Sequence, residues 1–276
     1  MENNVVPIKI ITSRPDTFFE YLKKIWQHRF LIIVFARRDL KVKYAQTLLG
    51  LGWTILQPLT ALVIFTFFFG YVLHWKGEGL PYSLYVLSGL LGWNFFSYIV
   101  FQGTASIQES SPIIKKIYFP KAILPLSKVL VSIVELMISF LLIIPLLFWH
   151  GQSLSWHIIL LPVVLVFNAL IALFIVFTVA SLAYKKRDLY HIVPFVMYFG
   201  IWCTPVFFTK DILPEEINFI WFYNPMAAIV ELWRWCLFPA WNYNLNFVPI
   251  LLLSIPLAIV GFSMYIKYEN EFSDFA

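Results

Sequence analysis

The 276-residue chain is 61% hydrophobic and only 13% charged, with a formal net charge of +5. A soluble domain usually carries about 45–50% apolar and about 25% charged residues, so this composition excludes a soluble globular enzyme, a disordered protein and a disulfide-stabilised scaffold. It indicates a protein that is surrounded mostly by lipid.

Long runs without Asp, Glu, Lys or Arg divide the chain, at 44–75, 79–108, 136–184, 189–209 and 235–266. A helix needs about 20 apolar residues to cross the hydrocarbon core, and the third run is long enough for two crossings with a polar turn at 150–153. Because lipid cannot satisfy open backbone groups, we predict an all-α integral membrane protein with six transmembrane helices. These spans are 54–73, 84–106, 124–148, 158–183, 190–208 and 247–266.

The six spans are predicted to form one transmembrane domain over residues 1–276. Its parts are a cytoplasmic and interface segment (1–53), spans one to five (54–208), an outer segment (209–246), span six (247–266) and a cytoplasmic tail (267–276). The first 20 residues contain no apolar core and no small-residue cleavage site, so a cleaved signal peptide is not expected.

The basic residues orient the chain. Of the 20 Lys and Arg residues, only Lys76, Lys210 and Arg234 lie on one side of the predicted arrangement, which leaves 17 on the other. The positive side is the cytoplasm, so both termini are predicted to be cytoplasmic. Nucleic-acid binding is not expected, because the basic residues flank spans and form no continuous stripe. Cys203 and Cys236 indicate neither a disulfide framework nor a zinc site.

Residues 18–49 carry two patterns before the first span. Apolar residues recur there at three- and four-residue intervals, which predicts an N-terminal amphipathic interface helix: Phe18, Leu22, Ile25, Trp26 and Phe30. A charged stretch then precedes span one and contains Arg37, Arg38, Lys41, Lys43 and Tyr44. Such residues can bind anionic headgroups at the lipid boundary. Two roles remain open for this stretch, a topology anchor and a cytoplasmic gate or docking surface.

The loop between spans two and three combines lysines with apolar residues. Pro112 is able to begin a short helix, and Pro120 disfavours helix at the residue before it. About two helical turns are therefore predicted between these prolines. The apolar and basic residues of this segment predict a protein contact, the alternative being a helix that lies on the membrane face. The candidate contact residues are Ile113, Lys116, Ile117, Tyr118, Phe119 and Pro120.

Few residues inside the spans could carry proton or catalytic chemistry. Glu135 is the only carboxylate within a predicted span, whereas proton-driven transporters rely on intramembrane acidic or His relays. We expect Glu135 to be a structural group paired to a hydroxyl or to Lys128. The sequence lacks a P-loop, so this chain is not expected to bind ATP itself. It also shows no catalytic constellation.

Aromatic residues are concentrated in spans two and five. In span five they recur at helical spacing, as Phe195, Tyr198, Phe199 and Trp202, and span two adds Trp93, Phe95, Phe96, Tyr98 and Phe101. An aromatic face offers an apolar surface with an electron-rich quadrupole. These rings are candidates for a channel wall, the alternative being that they face lipid or a neighbouring helix.

The segment 211–241 is too apolar for an ordinary outer loop, yet it contains prolines and charges. Asn224 followed by Pro225 predicts a helix N-cap with proline at the first helical position. Glu231 and Arg234 are three residues apart and could pair on one helix face. We predict two short re-entrant helices on the outer side before the last span, the alternative being an interfacial aromatic belt.

Several of these strings resemble the permease subunits of polysaccharide ABC exporters of the O-antigen, teichoic-acid and capsule type, within the type-2 ABC permease family. The resemblance covers essentially the whole chain, and one departure is Ser110–Ile113, where family members often have an Asn and a Leu-Ile pair. The matching strings are Arg38–Tyr44 through Leu49-Gly50, Trp53 and Gln57-Pro58; Lys116–Pro125; Arg187-Asp188 with Ile192–Phe195; Tyr223–Met226 with Glu231 and Arg234; and the tail Glu269–Phe275.

The resemblance implies a non-enzymatic half-transporter in the bacterial cytoplasmic (inner) membrane. Two copies would form a homodimer, and each would contact a separate ATP-binding cassette subunit, also present in two copies, through the 112–120 loop and the N-terminal region. ATP and Mg would be bound by that partner, so this chain itself needs no cofactor or metal. The cargo would be a lipid-linked glycan. Alternatives are an ABC permease for a drug or small lipid, and a membrane-bound transferase acting on lipid-linked sugar.

Overall fold

The computed structural model describes residues 16–75, 79–183, 188–209, 216 and 218–269, and the regular elements of these residues are helices. The α-helices, in chain order, are α1 (Phe18–Gln27), α2 (Arg29–Tyr44), α3 (Trp53–Phe65), α4 (Tyr82–Glu109), α5 (Ser111–Ile114), α6 (Ile123–Phe140), α7 (Ile143–His150), α8 (Leu161–Ala183), α9 (Leu189–Gly200), α10 (Asn218–Tyr223), α11 (Pro225–Leu237) and α12 (Val248–Tyr268). Short 3₁₀ turns precede α3, α8 and α12, and a π-helical stretch, Thr66–Val72, extends α3.

Among the described residues, five helical stretches are long and apolar enough to cross a membrane, and they contain predicted spans one, two, three, four and six almost entirely. They are Gly50–Val72, Tyr82–Glu109, Ile123–His150, Trp156–Ala183 and Leu245–Tyr268. The predicted polar turn after span three is present, because Gly151 ends α7 in the left-handed conformation with φ of 62°. The chain is therefore an all-α, multi-pass membrane protein.

The predicted fifth span is shorter than expected. Its helix covers only Leu189–Cys203, and 15 residues rise only about 22 Å, less than the roughly 30 Å of a hydrocarbon core. Thr204 adopts extended backbone with φ −117° and ψ 142°, because it precedes Pro205 and that position disfavours helix. The prediction of a continuous span over 190–208 is thus corrected at its end, and the count of six crossings stays a prediction.

α4 lies at the centre of the molecule and is buried along most of its length. It packs against α3, α6, α7, α8, α9 and α11. Glycines on α4 permit two close approaches, since a Cβ at Gly92 would lie 2.9 Å from the ring of Trp233 and one at Gly89 would lie 3.0 Å from the Cα of Val206. The small residues of α4 therefore bring α11 and the chain after α9 against it.

The N-terminal part forms two helices, because the chain bends at His28, where φ is −101° and ψ is 15°. α1 begins with a capping box between Thr17 and Glu20 and buries Tyr21 and Ile25. These two residues belong to a second hydrophobic cluster at one end of the molecule, which also contains the buried ends of α6 and α12. α2 packs along α6, so the charged stretch before span one lies beside span three.

The predicted short helices before the last span are present as α10 and α11. α11 is almost entirely buried and contacts α4, α8 and α12, as expected for apolar backbone that protein must cover. Its placement in the outer leaflet stays a prediction.

Candidate functional site

A cavity of about 760 Å³ lies between α3, α4, α6 and α9 and receives the end of α2. Its wall combines aromatic rings with amide, hydroxyl and charged groups. The polar lining residues are Lys43, Thr54, Gln57, Asn94, Ser97, Ser132, Glu135 and Ser139, and the aromatic ones are Tyr44, Trp53, Phe65, Trp93, Phe95, Tyr98, Phe101, Tyr198, Trp202 and Phe207. A wall of this mixed character can hold a molecule that has both apolar faces and hydrogen-bonding groups.

One end of the cavity is polar and is built by the last residues of α2. Lys43 Nζ donates to Glu135 Oε1 at 2.6 Å, and the Tyr44 hydroxyl donates to the same oxygen at 2.7 Å. The Tyr44 hydroxyl also lies 2.8 Å from Thr54 Oγ1, and the Lys43 ammonium lies 4.5 Å from the centroid of the Tyr98 ring. Glu135 is thus a paired group, as predicted, and its hydroxyl partner is Tyr44.

A second ion pair holds α2 against α6 one turn earlier. Lys128 Nζ contacts Asp39 Oδ2 at 2.7 Å, and Arg38 donates to the other oxygen of Asp39. Of the two partners expected for Glu135, the hydroxyl is the one observed, because Lys128 is paired with Asp39 instead. The two remaining predicted basic residues of α2, Arg37 and Lys41, are exposed and lie outside the cavity lining.

The aromatic candidates of span five divide into two pairs. Tyr198 and Trp202 line the cavity, whereas Phe195 and Phe199 do not and instead pack against each other with ring centroids 4.8 Å apart. Phe65 and Phe207 also line the cavity, and their rings stack at 3.7 Å. No local pattern predicts this contact, because Phe65 ends α3 whereas Phe207 lies in the non-helical chain after α9, far away in the sequence.

The loop after α4 presents a smaller surface than predicted. The helix that contains Pro112 is the single turn α5, which begins at Ser111 and is not two turns long, because the chain turns at Lys115 and Lys116. Ile117 is 60% exposed and Tyr118 is half exposed, whereas Phe119 is 4% exposed.

Phe119 and its neighbours face the protein interior. The Phe119 ring contacts Phe35 of α2 with a centroid distance of 5.5 Å. Pro120 is buried and Ile113 is half-buried. Of the candidate contact residues, Lys116, Ile117 and Tyr118 are therefore the exposed ones, and Pro112 and Lys115 beside them are exposed as well.

The predicted features of α11 are confirmed. The Asn224 side chain accepts from the Met226 amide at 2.9 Å, and Pro225 occupies the first turn. Arg234 Nη1 donates to Glu231 Oε1 at 2.8 Å, and the guanidinium is fully buried.

Some predicted features lie outside the described residues, namely Lys76, Lys210, Arg187 of one matching string and the tail after Glu269. Within the described ranges, no group of three or more His, Cys, Asp or Glu residues is placed to hold a metal ion.

Comparison with known proteins adds a family assignment to this geometry. A model of the ABC-2 type transporter family matches residues 31–238, which contain α2 through α11 apart from the first residues of α2. The chain belongs to the ABC-2 type transporter family. The match covers the cavity, both ion pairs of α2 and the loop after α4, so the family resemblance seen in the sequence is confirmed.

Curated relatives of this ABC-2 type transporter chain are similar over most of their length. An O-antigen export system permease protein of Klebsiella pneumoniae is 30% identical over 88% of this chain and 94% of that protein. One of Myxococcus xanthus is 28% identical over 76% of this chain and 80% of the relative. A polysialic acid transport protein of Escherichia coli is 21% identical over 84% of this chain and 91% of the relative.

Proposed function

We propose that this chain is the membrane-spanning permease subunit of an ATP-driven exporter that moves a lipid-linked, O-antigen-like polysaccharide across the bacterial inner membrane. The observation that carries the proposal is near full-length similarity to proteins named as O-antigen export permeases. Five long apolar helical stretches support a multi-pass membrane location. Both termini are proposed to be cytoplasmic, because most lysines and arginines flank that side.

The cavity supports a glycan as cargo. The rings of Trp93, Tyr98 and Trp202 offer apolar faces on which the C–H face of a sugar can rest. Asn94, Gln57 and the serine hydroxyls in the same wall provide hydrogen-bonding groups. Contacts of this kind are individually weak and independent of sequence along a polymer, which suits a chain that must keep moving.

The proposal assigns ATP hydrolysis to a partner. The sequence has no P-loop, so ATP and Mg would be bound by a separate ATP-binding cassette subunit. Two permease copies, as a homodimer surrounded by membrane lipids, would associate with two copies of that subunit. Lys116, Ile117 and Tyr118 form the exposed part of the proposed contact with it.

α2 is the proposed gate at the cytoplasmic end of the cavity. Lys43 lies in the cavity wall and Arg38 lies one turn and a half before it. Cationic side chains bind phosphate oxygens strongly, so Arg37, Arg38, Lys41 and Lys43 are proposed to meet the phosphate groups of the lipid-linked cargo.

The partner contact can be tested with Ile117→Asp, because Ile117 is exposed and a charge there should not disturb the interior. We expect the variant to stay folded but to lose association with the ATP-binding subunit, measured by co-purification from membranes, and to trap glycan in the cytoplasm. Leu245→Asp is the matched control, since Leu245 is also an exposed apolar residue but precedes α12. Normal subunit binding and normal glycan export by the Ile117 variant would contradict the proposed contact.

The cargo is tested by deleting the gene. Cytoplasmic accumulation of lipid-linked glycan supports the proposal, whereas undiminished surface glycan contradicts it and favours a drug or small-lipid permease.

A further inference from the structure

After α9 and the 3₁₀ turn Ile201–Cys203, the chain crosses the protein interior without regular helical structure. The segment Cys203–Phe208 is called the strap here. Its second residue, Thr204, has extended backbone, and its Val206 and Phe207 are fully buried. Buried backbone carbonyls outside regular structure need hydrogen-bond donors from elsewhere.

Side chains of other elements donate to nearly every carbonyl of the strap. The Asn224 amide donates to Cys203 O at 2.8 Å, and the hydroxyls of Tyr82 and Tyr85 donate to Phe207 O and Phe208 O, each at 2.8 Å. Arg234 Nη2 donates to Pro205 O at 2.5 Å and also lies 3.4 Å from Val206 O. α4 and α11 thus replace the hydrogen bonds that a continuous helix would have made.

Arg234 is the charged member of this set, and its surroundings are built closely around it. The guanidinium stacks over the Tyr85 ring at 3.5 Å from the centroid and pairs with Glu231, whose second oxygen accepts from Trp241 Nε1 at 2.9 Å. A Cβ at Gly89 would lie 3.2 Å from Arg234 Nη2, so glycine leaves the space that the guanidinium occupies. A buried ion pair is costly to desolvate and is a weak source of stability, which suggests that this pair serves a geometric purpose.

The strap in turn positions part of the cavity wall. Its Phe207 stacks on Phe65 at 3.7 Å and contacts Trp202 with centroids 5.4 Å apart, and all three rings line the cavity. Thr54, at the polar end of the cavity, and Phe65 both line its wall from α3. They are 11 positions apart, so about 16 Å of helix separates the polar end from the three rings. Arg234 therefore determines the wall at the end opposite Lys43, although it is not itself a lining residue.

We propose that Arg234 is a positioning residue for export, which acts through the carbonyls of Pro205 and Val206 to hold Phe207 and Trp202 in the cavity wall. The proposal rests on the proposed export function for its activity readout. Only the planar fork of arginine reaches Glu231 and the strap carbonyls together, because a lysine ammonium is a single point charge on a flexible stem.

The test uses Arg234→Lys in the full complex with the ATP-binding subunit, because lysine keeps a charge beside Glu231. We expect unchanged complex yield and ATP hydrolysis but export per complex lower by about tenfold, the effect of losing one charge-assisted hydrogen bond. The neutral double variant Glu231→Gln/Arg234→Gln should likewise hydrolyse ATP at the wild-type rate but export less glycan per complex. Lys267→Arg, at an exposed lysine near the end of α12, should leave both rates unchanged.

The two cysteines provide a second readout that needs no cargo. Cys203 is exposed at the start of the strap, and Cys236 is buried on α11. In Arg234→Lys, modification of Cys203 by a maleimide should become several times faster while Cys236 stays protected, as mass spectrometry of the two peptides will report. If the Arg234→Lys variant exported glycan and reacted at Cys203 at the wild-type rates, the proposal would be overturned. Loss of export together with labelling of Cys236 would also overturn it, because labelling of the buried Cys236 indicates general unfolding. A wild-type complex that moves no glycan would contradict the proposed function. The rate of Cys203 labelling tests the positioning role of Arg234 independently of that function.

Discussion

Two ion pairs join α2 to α6, and they differ in burial. The side chains of Asp39 and Lys128 are 11% and 7% exposed, whereas those of Glu135 and Lys43 are 15% and 41% exposed. Removing one partner of a buried pair leaves an uncompensated charge, while an exposed pair contributes little because water screens it. Truncating one partner should therefore lower the free energy of unfolding much more for the Asp39–Lys128 pair than for the Glu135–Lys43 pair.

Asp39→Ala should lower the free energy of unfolding by roughly 3–5 kcal/mol, and Glu135→Ala by no more than about 1 kcal/mol. Denaturant unfolding of the purified chain in detergent measures both. Asp39→Ala/Lys128→Met should recover most of the loss, because the unpaired ammonium is then absent. Equal losses for the two single variants would show that burial does not distinguish the pairs.

Glu269, just after α12, is a buried carboxyl that accepts from the backbone amide of Lys121 at 2.5 Å. Burial raises its pKa above the ordinary value of 4.5, although the Lys121 amide, Tyr21 and the Lys121 charge oppose the shift. The folded state thus holds this proton more tightly than the unfolded chain does. Its contribution to stability is present below the ordinary pKa and is lost as the pH rises through the raised pKa.

Glu269→Gln should remove this dependence. We expect the wild-type melting temperature to fall relative to that of the variant as the pH is raised from about 4 to 7. If the melting temperatures of the wild type and the Glu269→Gln variant differed by the same amount at every pH, the raised pKa would be contradicted.

Local spacing predicted some residue contacts and could not predict others. The Asn224 cap and the pairing of Glu231 with Arg234 follow from offsets of two and three residues. The contacts of Arg234 with Pro205 and of Lys43 with Glu135 join residues 29 and 92 positions apart, and these depend on helix packing that no local pattern contains.

At the scale of elements, α2 connects the loop after α4 with the cavity. Phe35 of α2 contacts Phe119 of that loop, and Lys43 and Tyr44 at the other end of α2 line the cavity. Tyr44 follows Phe35 by nine positions, so about 14 Å of rigid helix separates the two residues. A movement of the loop should therefore reach the cavity through this ring contact.

Phe119→Leu keeps an apolar side chain in the interior but removes the aromatic pair, which is worth about 0.5–1.5 kcal/mol. We expect export to fall while ATP hydrolysis by the complex continues, measured as glycan moved per ATP hydrolysed. Phe18→Leu is the matched control, because Phe18 contacts Phe262 beside the same cluster but belongs to α1. The same effect from both variants would argue against a specific link through α2.

The elements themselves were predicted well where length and apolarity determine them. The charge-free runs located five spans because lipid demands long, uninterrupted apolar helices. The early end of α9 was missed, although Pro205 signals it, because buried side chains of α4 and α11 make a break tolerable there. The single turn of α5 was missed because the packing of Phe119 against Phe35 shortens it.

At the scale of the whole molecule, most of the apolar surface faces outward. Large exposed apolar residues cover α3, α9 and α12, whereas α4 is enclosed. Lipid can cover such surfaces, as expected for a multi-pass membrane protein. In the proposed exporter, the cavity, the proposed gate helix α2 and the proposed partner-facing loop all belong to one membrane subunit.

Reconstitution into sealed vesicles tests this account most directly. The chain and its ATP-binding subunit are inserted together, lipid-linked glycan is supplied on the cytoplasmic face, and a lectin reports glycan on the opposite face. The account predicts lectin binding only when both proteins and ATP are present. Transport by this chain alone without ATP, or ATP hydrolysis by the complex with no glycan transferred, would contradict it.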